Sequence, residues 1–192
     1  MISAFVLVSV VVCGAEEPRG LSTGGGLGLL LSPEVRAELK LSDAQSEKIL
    51  NVPRGMAPPG DRAEEKKARE ELYRKREQEL KQILDEKQQG RLWELILQKN
   101  GGRAIEWPNV ADKLKLDAAQ MDRIKKIRED TTAKPTPLSA LSREEQEKVL
   151  DESRKRREKR KVELLTVLTA EQKELFEKMQ GVKFTFPEPR RP

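Results

Sequence analysis

The densest group of chemically active side chains in this sequence is a run of cations near the C-terminal end. The segment DESRKRREKRK (151–161) contains no apolar residue, and seven of its last eight residues are basic. Guanidinium and ammonium groups of this kind bind carboxylates and phosphates. Two interpretations stay open: a solvated helical arm, or a cationic surface that binds an acidic partner, an anionic lipid surface or RNA. The candidate binding residues are Arg154, Lys155, Arg156, Arg157, Lys159, Arg160 and Lys161.

The remaining side chains offer little for catalysis or metal binding. The sequence has no His and a single Cys, Cys13, so the common general base and the common transition-metal ligand are missing. Asp, Glu, Lys, Ser and one Tyr are present, but none stands in a nucleophile or paired-carboxylate context. No Gly-rich loop with its Lys is present to hold a nucleoside triphosphate. We therefore expect no catalytic residue, no cofactor and no metal, and a protein that is not an enzyme.

The first fifteen residues are typical of a signal peptide. They carry no charged side chain and include an apolar run of eleven residues, ISAFVLVSVVV (2–12). This run is too short to span a membrane and is followed by the small residues of a cleavage site. Cys13 follows three valines, as in a bacterial lipoprotein signal, although Val12 is larger than usual there. Cleavage, lipid attachment at Cys13 and a retained anchor stay open, and we expect a periplasmic or secreted protein that contacts the membrane only through this end.

A five-residue word recurs four times and marks where helices should begin. Each copy has Leu, then Ser, Thr or Asp, and then Gln three positions later. In this capping-box spacing the short side chain accepts the backbone N–H of the Gln, whose side chain reaches back to the cap. The leading leucines are expected to pack on another helix. The residues of these structural words are Leu41, Ser42 and Gln45; Leu84, Asp85 and Gln88; Leu116, Asp117 and Gln120; and Leu168, Thr169 and Gln172.

The repetition extends beyond the words to two tandem copies of one unit. Residues 33–49 align with 108–124 at an offset of 75 with eight of 17 positions identical, and a second block repeats at an offset of 84. We predict an all-α fold of elongated antiparallel helical hairpins, in which each unit has short helices and one long helix. The predicted boundaries are a signal peptide at 1–15, a flexible linker at 16–31, helical repeat units at 32–102 and 103–181, and a C-terminal tail at 182–192.

The long helices and the tail have signals of their own. DRAE (61–64) and SREE (142–145) also have the capping-box spacing. They predict a long helical stretch to about residue 99 in the first unit, and the long helix that carries the basic run in the second. In the tail, Phe184 and Phe186 alternate, which predicts a short extended strap packed on a helix.

Four such words on an exported, helical, charge-rich chain resemble the LTxxQ family of bacterial envelope proteins. LTAEQ (168–172) matches the family motif literally, while Ser42 keeps the hydroxyl and Asp85 and Asp117 replace it with a carboxylate. The resemblance implies bent helical hairpins that dimerise into a cradle and bind unfolded chains without ATP, or that bind and restrain a sensor kinase. Two fused units would place four motifs in one molecule, so we expect a monomer or a homodimer.

The composition favours an interaction protein. Charged residues make up 37% of the chain and aromatic residues 4%, and the net charge is +5. This high charged and low aromatic content favours long helices with narrow apolar stripes over a thick globular core. Interleaved charges, export and the lack of aromatic residues beside the basic run argue against nucleic acid. We expect a chaperone-like or stress-regulatory protein that binds unfolded clients or an envelope partner, with a structural scaffold of the cell envelope as the alternative.

Overall fold

The computed structural model describes residues 20–22, 25–54, 62–132 and 141–187, which form helices and no strand. The all-α prediction is therefore confirmed for this part of the chain. The helices run in the order α1 (Gly26–Leu29), α2 (Pro33–Glu38), α3 (Asp43–Asn51), α4 (Arg62–Ile83), α5 (Glu86–Asn100), a 3₁₀ helix (Gly101–Glu106), α6 (Pro108–Leu114), α7 (Ala118–Thr131), α8 (Arg143–Leu165) and α9 (Ala170–Gln180).

The four words begin α3, α5, α7 and α9, as predicted. At each start the Ser, Asp or Thr side chain accepts the backbone N–H of the Gln three residues on, and that Gln side chain accepts the N–H of the cap. Ser142 and Glu145 make the same box at the start of α8. Each box satisfies two backbone donors that a helix start would otherwise leave without a partner. The basic run therefore lies on one continuous helix of 23 residues.

The single helical stretch predicted from 61 to 99 is wrong in its middle. Helix α4 ends at Ile83, and α5 begins at Glu86. The second word makes this break, because Asp85 adopts an extended backbone (φ −71°, ψ 169°) while its side chain accepts the Gln88 N–H. Helix α4 is thus 22 residues long. The cap predicted at Asp61 lies outside the described residues.

The segment predicted as a flexible linker (16–31) is packed where the structure describes it. Leu21 and Leu30 are buried, and α1 contacts α5. The Ser22 backbone N–H donates to a Glu77 carboxylate oxygen of α4 at 2.9 Å. The linker prediction is therefore wrong over this part, because its leucines leave water by packing on the helices that follow. The predicted signal peptide lies outside the described residues.

In the described part of the chain, the buried apolar side chains form one hydrophobic core with α5 at its centre. Its Leu92, Leu95, Ile96 and Leu97 side chains are fully buried, and it contacts α1, the 3₁₀ helix and α9. Phe176 of α9 belongs to the same cluster of buried side chains. The 3₁₀ helix, whose first residues we assigned to the first unit, also packs on α8. The segments predicted as two units therefore share one core.

The two long helices contribute little to this core. Among the 23 residues of α8 only Leu164 is buried, and among the described side chains of α4 only Arg76 and Leu80 are. Helix α7 packs along α8, and α3 packs along α4. Both long helices therefore expose most of their surface to water. The buried part of each is narrower than the apolar stripe of an ordinary surface helix.

The described part of the C-terminal tail, residues 182–187, packs on α5. Phe184 and Phe186 are half-buried against the core, and the Gln98 side chain of α5 accepts the Phe184 N–H at 2.9 Å. The predicted contact with a helix is confirmed, and the segment has neither helix nor strand structure. Residues 182–187 are called the strap below.

The leading leucines of the words are buried to similar degrees in pairs. Leu41 and Leu116, which precede α3 and α7, are both half-buried against the core. Leu84 and Leu168, which precede α5 and α9, are both buried. All four therefore belong to the core or pack against it, and the prediction that each packs on another helix stays a prediction.

Candidate functional site

The glutamines of the words join in pairs across the fold. In the first pair, the Gln45 Nε2 donates to the Gln88 Oε1 at 2.8 Å, and the Gln88 Nε2 donates back to the Gln45 Oε1 at 3.3 Å. In the second pair, Gln120 and Gln172 exchange the same bonds at 2.6 and 3.1 Å. An amide can do this because it carries both a donor and an acceptor. Each word is thereby tied to a second word.

Each of these amides also donates to a backbone carbonyl just before the partner word. The contacts are Gln45 to Ile83 at 2.8 Å, Gln88 to Leu39 at 3.3 Å, Gln120 to Val167 at 2.9 Å and Gln172 to Leu114 at 3.1 Å. One side chain thus caps its own helix, binds the opposite amide and satisfies a carbonyl at the end of another segment. The glutamines of the words therefore stabilise the fold, and the donors and acceptors of their amides are all used within the protein, so none is left for a partner protein.

Five of the seven candidate cations have a carboxylate partner within the protein. Four of these pairs lie along α8, three or four residues apart: Lys155–Asp151 (2.9 Å), Arg156–Glu152 (3.3 Å), Lys159–Glu163 (3.6 Å) and Lys161–Glu158 (2.8 Å). The fifth joins Arg160 to Glu106 of the 3₁₀ helix. Exposed pairs within a helix contribute about 0.3–0.5 kcal/mol each. Lys155 and Lys159, which are themselves exposed, can therefore exchange their partner for another carboxylate at small cost.

The Lys155–Asp151 pair keeps both of its groups charged. The hydrogen bond between the two side chains is the main cause that lowers the pKa of Asp151, and it also raises the pKa of Lys155. Both groups are exposed. Their opposite charges therefore persist at neutral pH, and the pair adds no net charge to the surface of α8.

Arg160 is a structural cation. Its side chain and that of Glu106 are 17% and 12% exposed, so removing either one would leave the other largely buried without a counter-charge. Nearby, the 3₁₀ helix approaches α8 so closely that a Cβ at Gly102 would lie 2.0 Å from the Lys161 carbonyl oxygen. The predicted binding role of Arg160 is therefore corrected: its guanidinium holds the 3₁₀ helix on α8.

Arg154 and Arg157 are the two candidates without a carboxylate partner among the described residues. Arg157 donates to the carbonyl and the hydroxyl of Ser153 at 3.2 and 3.3 Å. Leu150 lies one turn before Arg154 and is 41% exposed. Spacings of four and seven residues place these three side chains on one face of a helix. This α8 face, made of Leu150, Arg154 and Arg157, is the candidate contact surface.

A shallow depression of about 250 Å³ lies between α3 and α4. It is lined by Lys48, Asn51, Val52, Glu79, Gln82 and Ile83. This lining contains no nucleophile with an adjacent base. Within the described ranges, no group of three or more His, Cys, Asp or Glu side chains is placed to hold a metal ion. No helix in that part of the chain has the length and apolar character needed to cross a membrane.

The sequence did not reveal which partners these side chains have. Glu106 lies 54 residues before Arg160, and no local pattern connects the two. One signal was present in the words themselves, since a capping box accepts Glu or Gln at its third position and all four words use Gln. A neutral amide is needed where the side chain must also donate, and the recurrence of Gln indicates such a second role.

Comparison with known proteins gives no match to a family model, to a curated protein or to a solved structure. The resemblance to the LTxxQ family therefore stays a prediction that rests on the words. The function is argued below from the surfaces of the protein itself.

Proposed function

We propose that this is an exported, non-enzymatic helical protein that binds other proteins through the α8 face, as an ATP-independent chaperone-like or stress-regulatory protein of the bacterial envelope. The observation that carries the proposal is the exposure of α8, which buries one side chain in 23 residues. A helix that adds so little to the core has a surface available for other molecules. In the proposed function, α8 supplies that surface to partner proteins.

The chemistry of the α8 face suits unfolded or acidic partners. Arg154 and Arg157 attract carboxylates, and this attraction speeds encounter between oppositely charged surfaces. Leu150 offers apolar contact beside them. Two further cations of α8, Lys155 and Lys159, are exposed and held in weak pairs within the helix, so a partner's carboxylates can recruit them after first contact. Unfolded chains expose both carboxylates and apolar side chains, and the α8 face matches both.

We also propose that the chain consists of two tandem elongated hairpin units. The matching leucines and glutamine pairs described above support this arrangement. Lys40 and Lys115, 75 residues apart, support it further, because both adopt the left-handed conformation, with φ of 51° and 52°. The resemblance implies pairing between two chains, and two units fused in one chain can supply both halves of such a pair, so we expect a monomer, with a homodimer as the alternative.

The test uses a chemically denatured acidic client at an equimolar ratio to the purified protein, with aggregation followed by light scattering. We expect suppression at low salt that weakens at high salt, because exposed charges are screened over about 8 Å at physiological ionic strength. The R154S/R157S variant should lose most of this suppression. The matched control is R123S/K126S, which removes two exposed cations with the same spacing from α7, and it should behave like the unchanged protein.

Two results would count against the proposal. Absence of suppression under all conditions would reject a chaperone-like activity, and equal losses in the two double variants would reject the α8 face as its site. The alternative, a structural scaffold of the cell envelope, is favoured by the single core that joins α5 and α9. A stable envelope partner recovered by cross-linking, together with no effect on aggregation, would support it.

A further inference from the structure

The strap is attached to α5 through very few contacts. Among the described residues, no backbone–backbone hydrogen bond joins 182–187 to the rest of the protein. Val182 is 77% exposed, and the side chains of Lys183 and Thr185 are also exposed. The strap is therefore held only through side chains: the Gln98 amide of α5 binds its backbone, and its own Phe184 and Phe186 pack against the core.

The amide of Gln98 binds the backbone of the chain that passes over it. Its Nε2 donates to the carbonyls of Gln180 at 2.7 Å and Val182 at 2.8 Å, and its Oε1 accepts the Phe184 N–H at 2.9 Å. Both donor and acceptor of one side chain thus engage main-chain groups. Every peptide carries these groups, so this part of the contact is independent of the bound sequence.

The two rings supply the part of the contact that depends on sequence. Phe184 and Phe186 pack edge to face with their centroids 5.0 Å apart, and both are half-buried against the core. The Lys99 ammonium lies 4.8 Å from the Phe186 centroid, within the range of a cation–π contact. Two aromatic residues separated by one residue therefore fit this surface.

Gly181 lets the chain turn from α9 onto α5. Its φ is +62°, and a Cβ at this position would lie 2.1 Å from a Glu94 carboxylate oxygen. Only glycine adopts this conformation at low cost, and any larger residue would also require the Glu94 side chain to move. The chain therefore turns at Gly181, and the strap that follows contacts α5 as a short bound peptide would.

We propose that the strap site, made of Gln98, Lys99 and the core surface beneath the two rings, binds a partner segment that carries two aromatic residues separated by one residue. The strap is then a built-in competitor that occupies the site until such a segment replaces it. This inference goes beyond the proposed function, because it concerns a surface on α5 that the α8 face does not include. A tethered segment competes at an effective concentration of about millimolar, so a free peptide binds strongly only when the strap is disabled.

The experiment uses the full chain and a fluorescent peptide of the sequence GVKFTFP, with binding followed by fluorescence anisotropy. We expect the F184S/F186S variant of the protein to bind the peptide at least about 10-fold more tightly than the unchanged protein does. A peptide with both Phe replaced by Ser should not bind. On the F184S/F186S background, K99A should weaken binding and K87A should not, since Lys87 is an exposed cation of the same helix without a strap contact.

Circular dichroism establishes that each variant keeps its helix content. If F184S/F186S loses helix, Gly181→Ala repeats the measurement, because the φ of +62° is costly for alanine; we expect this change to weaken attachment of the strap while both rings stay in the sequence. Equal affinity of the peptide for the unchanged and the strap-disabled protein would overturn the inference. So would the absence of binding to a folded strap-disabled variant, or equal losses for K99A and K87A.

Discussion

At the scale of a single residue, the amide of Gln120 performs three tasks at once. Its Oε1 accepts the Asp117 N–H at 3.1 Å, and its Nε2 donates to Gln172 and to the Val167 carbonyl at 2.6 and 2.9 Å. The residue is 8% exposed, so water cannot replace a lost bond. A carboxylate has the same shape and can still accept, but it has no hydrogen to donate.

We therefore predict that Gln120→Glu destabilises the protein by about 1–3 kcal/mol, because it leaves buried acceptors without a donor. The measurement is urea unfolding followed by circular dichroism at neutral pH. Gln78→Glu makes the same change on the exposed side of α4 and should stay within about 0.5 kcal/mol. Equal effects of the two substitutions would show that the glutamine pair does not stabilise the fold.

At the scale of an element, α8 differs from the helices that begin with a word, because its capping box contains Glu145 where they use Gln. Hydrogen bonds from the Ser142 hydroxyl and then from its backbone N–H lower the pKa of Glu145 below its ordinary value of 4.5. A carboxyl whose pKa is lower in the folded state stabilises the fold above its unfolded pKa. That contribution is lost as the pH falls through the folded pKa.

The prediction is that the first turn of α8 loosens on acidification below pH 4.5, the ordinary value for this carboxyl. Carbon chemical shifts of residues 143–146, followed by NMR during acid titration, report the helix content of this turn. Glu145→Gln should remove the dependence, because a neutral amide still accepts the Ser142 N–H. The start of α3, which pairs Ser42 with Gln45, is the internal control. A titration curve unchanged by Glu145→Gln would contradict this explanation.

At the scale of the whole molecule, α5 joins the described helices around one core. It supplies four fully buried side chains and contacts elements from both ends of the sequence. The long helices α4 and α8 border this core and expose most of their length. This arrangement suits the two surfaces proposed above, since the fully buried side chains of α5 lie among the short helices while α8 remains largely exposed.

We predict that the protein unfolds in one transition and that Leu95→Ala lowers the stability of all of it by about 2–5 kcal/mol, the usual cost of truncating a buried leucine. Tryptophan fluorescence reports on the surroundings of α5, where the ring centroids of Trp93 and Trp107 are 5.8 Å apart. Circular dichroism reports on all helices. The two urea curves should coincide. Leu150→Ala, on the exposed α8 face, should change stability by no more than about 0.5 kcal/mol. Separate transitions would mean that the two predicted units fold independently.

The sequence by itself determined where the capped helices begin. A capping box involves side chains and backbone groups only three residues apart, so LSDAQ (41–45) and its copies specify their helix starts without help from the rest of the fold. The same locality explains the all-α prediction and the correct start of α8. It also explains why the prediction of one helical stretch from 61 to 99 is wrong, because the local capping box at Asp85 ends α4 and starts α5 within a continuous helical pattern.

Only the tertiary structure decided which of these helices meet. Glutamines that cap their own helices bind each other across 43 and 52 residues, and Arg160 finds Glu106 across 54. The sequence shows such groups but not their pairing, because that pairing depends on how apolar side chains distant in sequence pack around α5. The same packing buried Leu21 and Leu30 of the predicted linker, fixed Arg160 in the structure and left Arg154 and Arg157 exposed on α8.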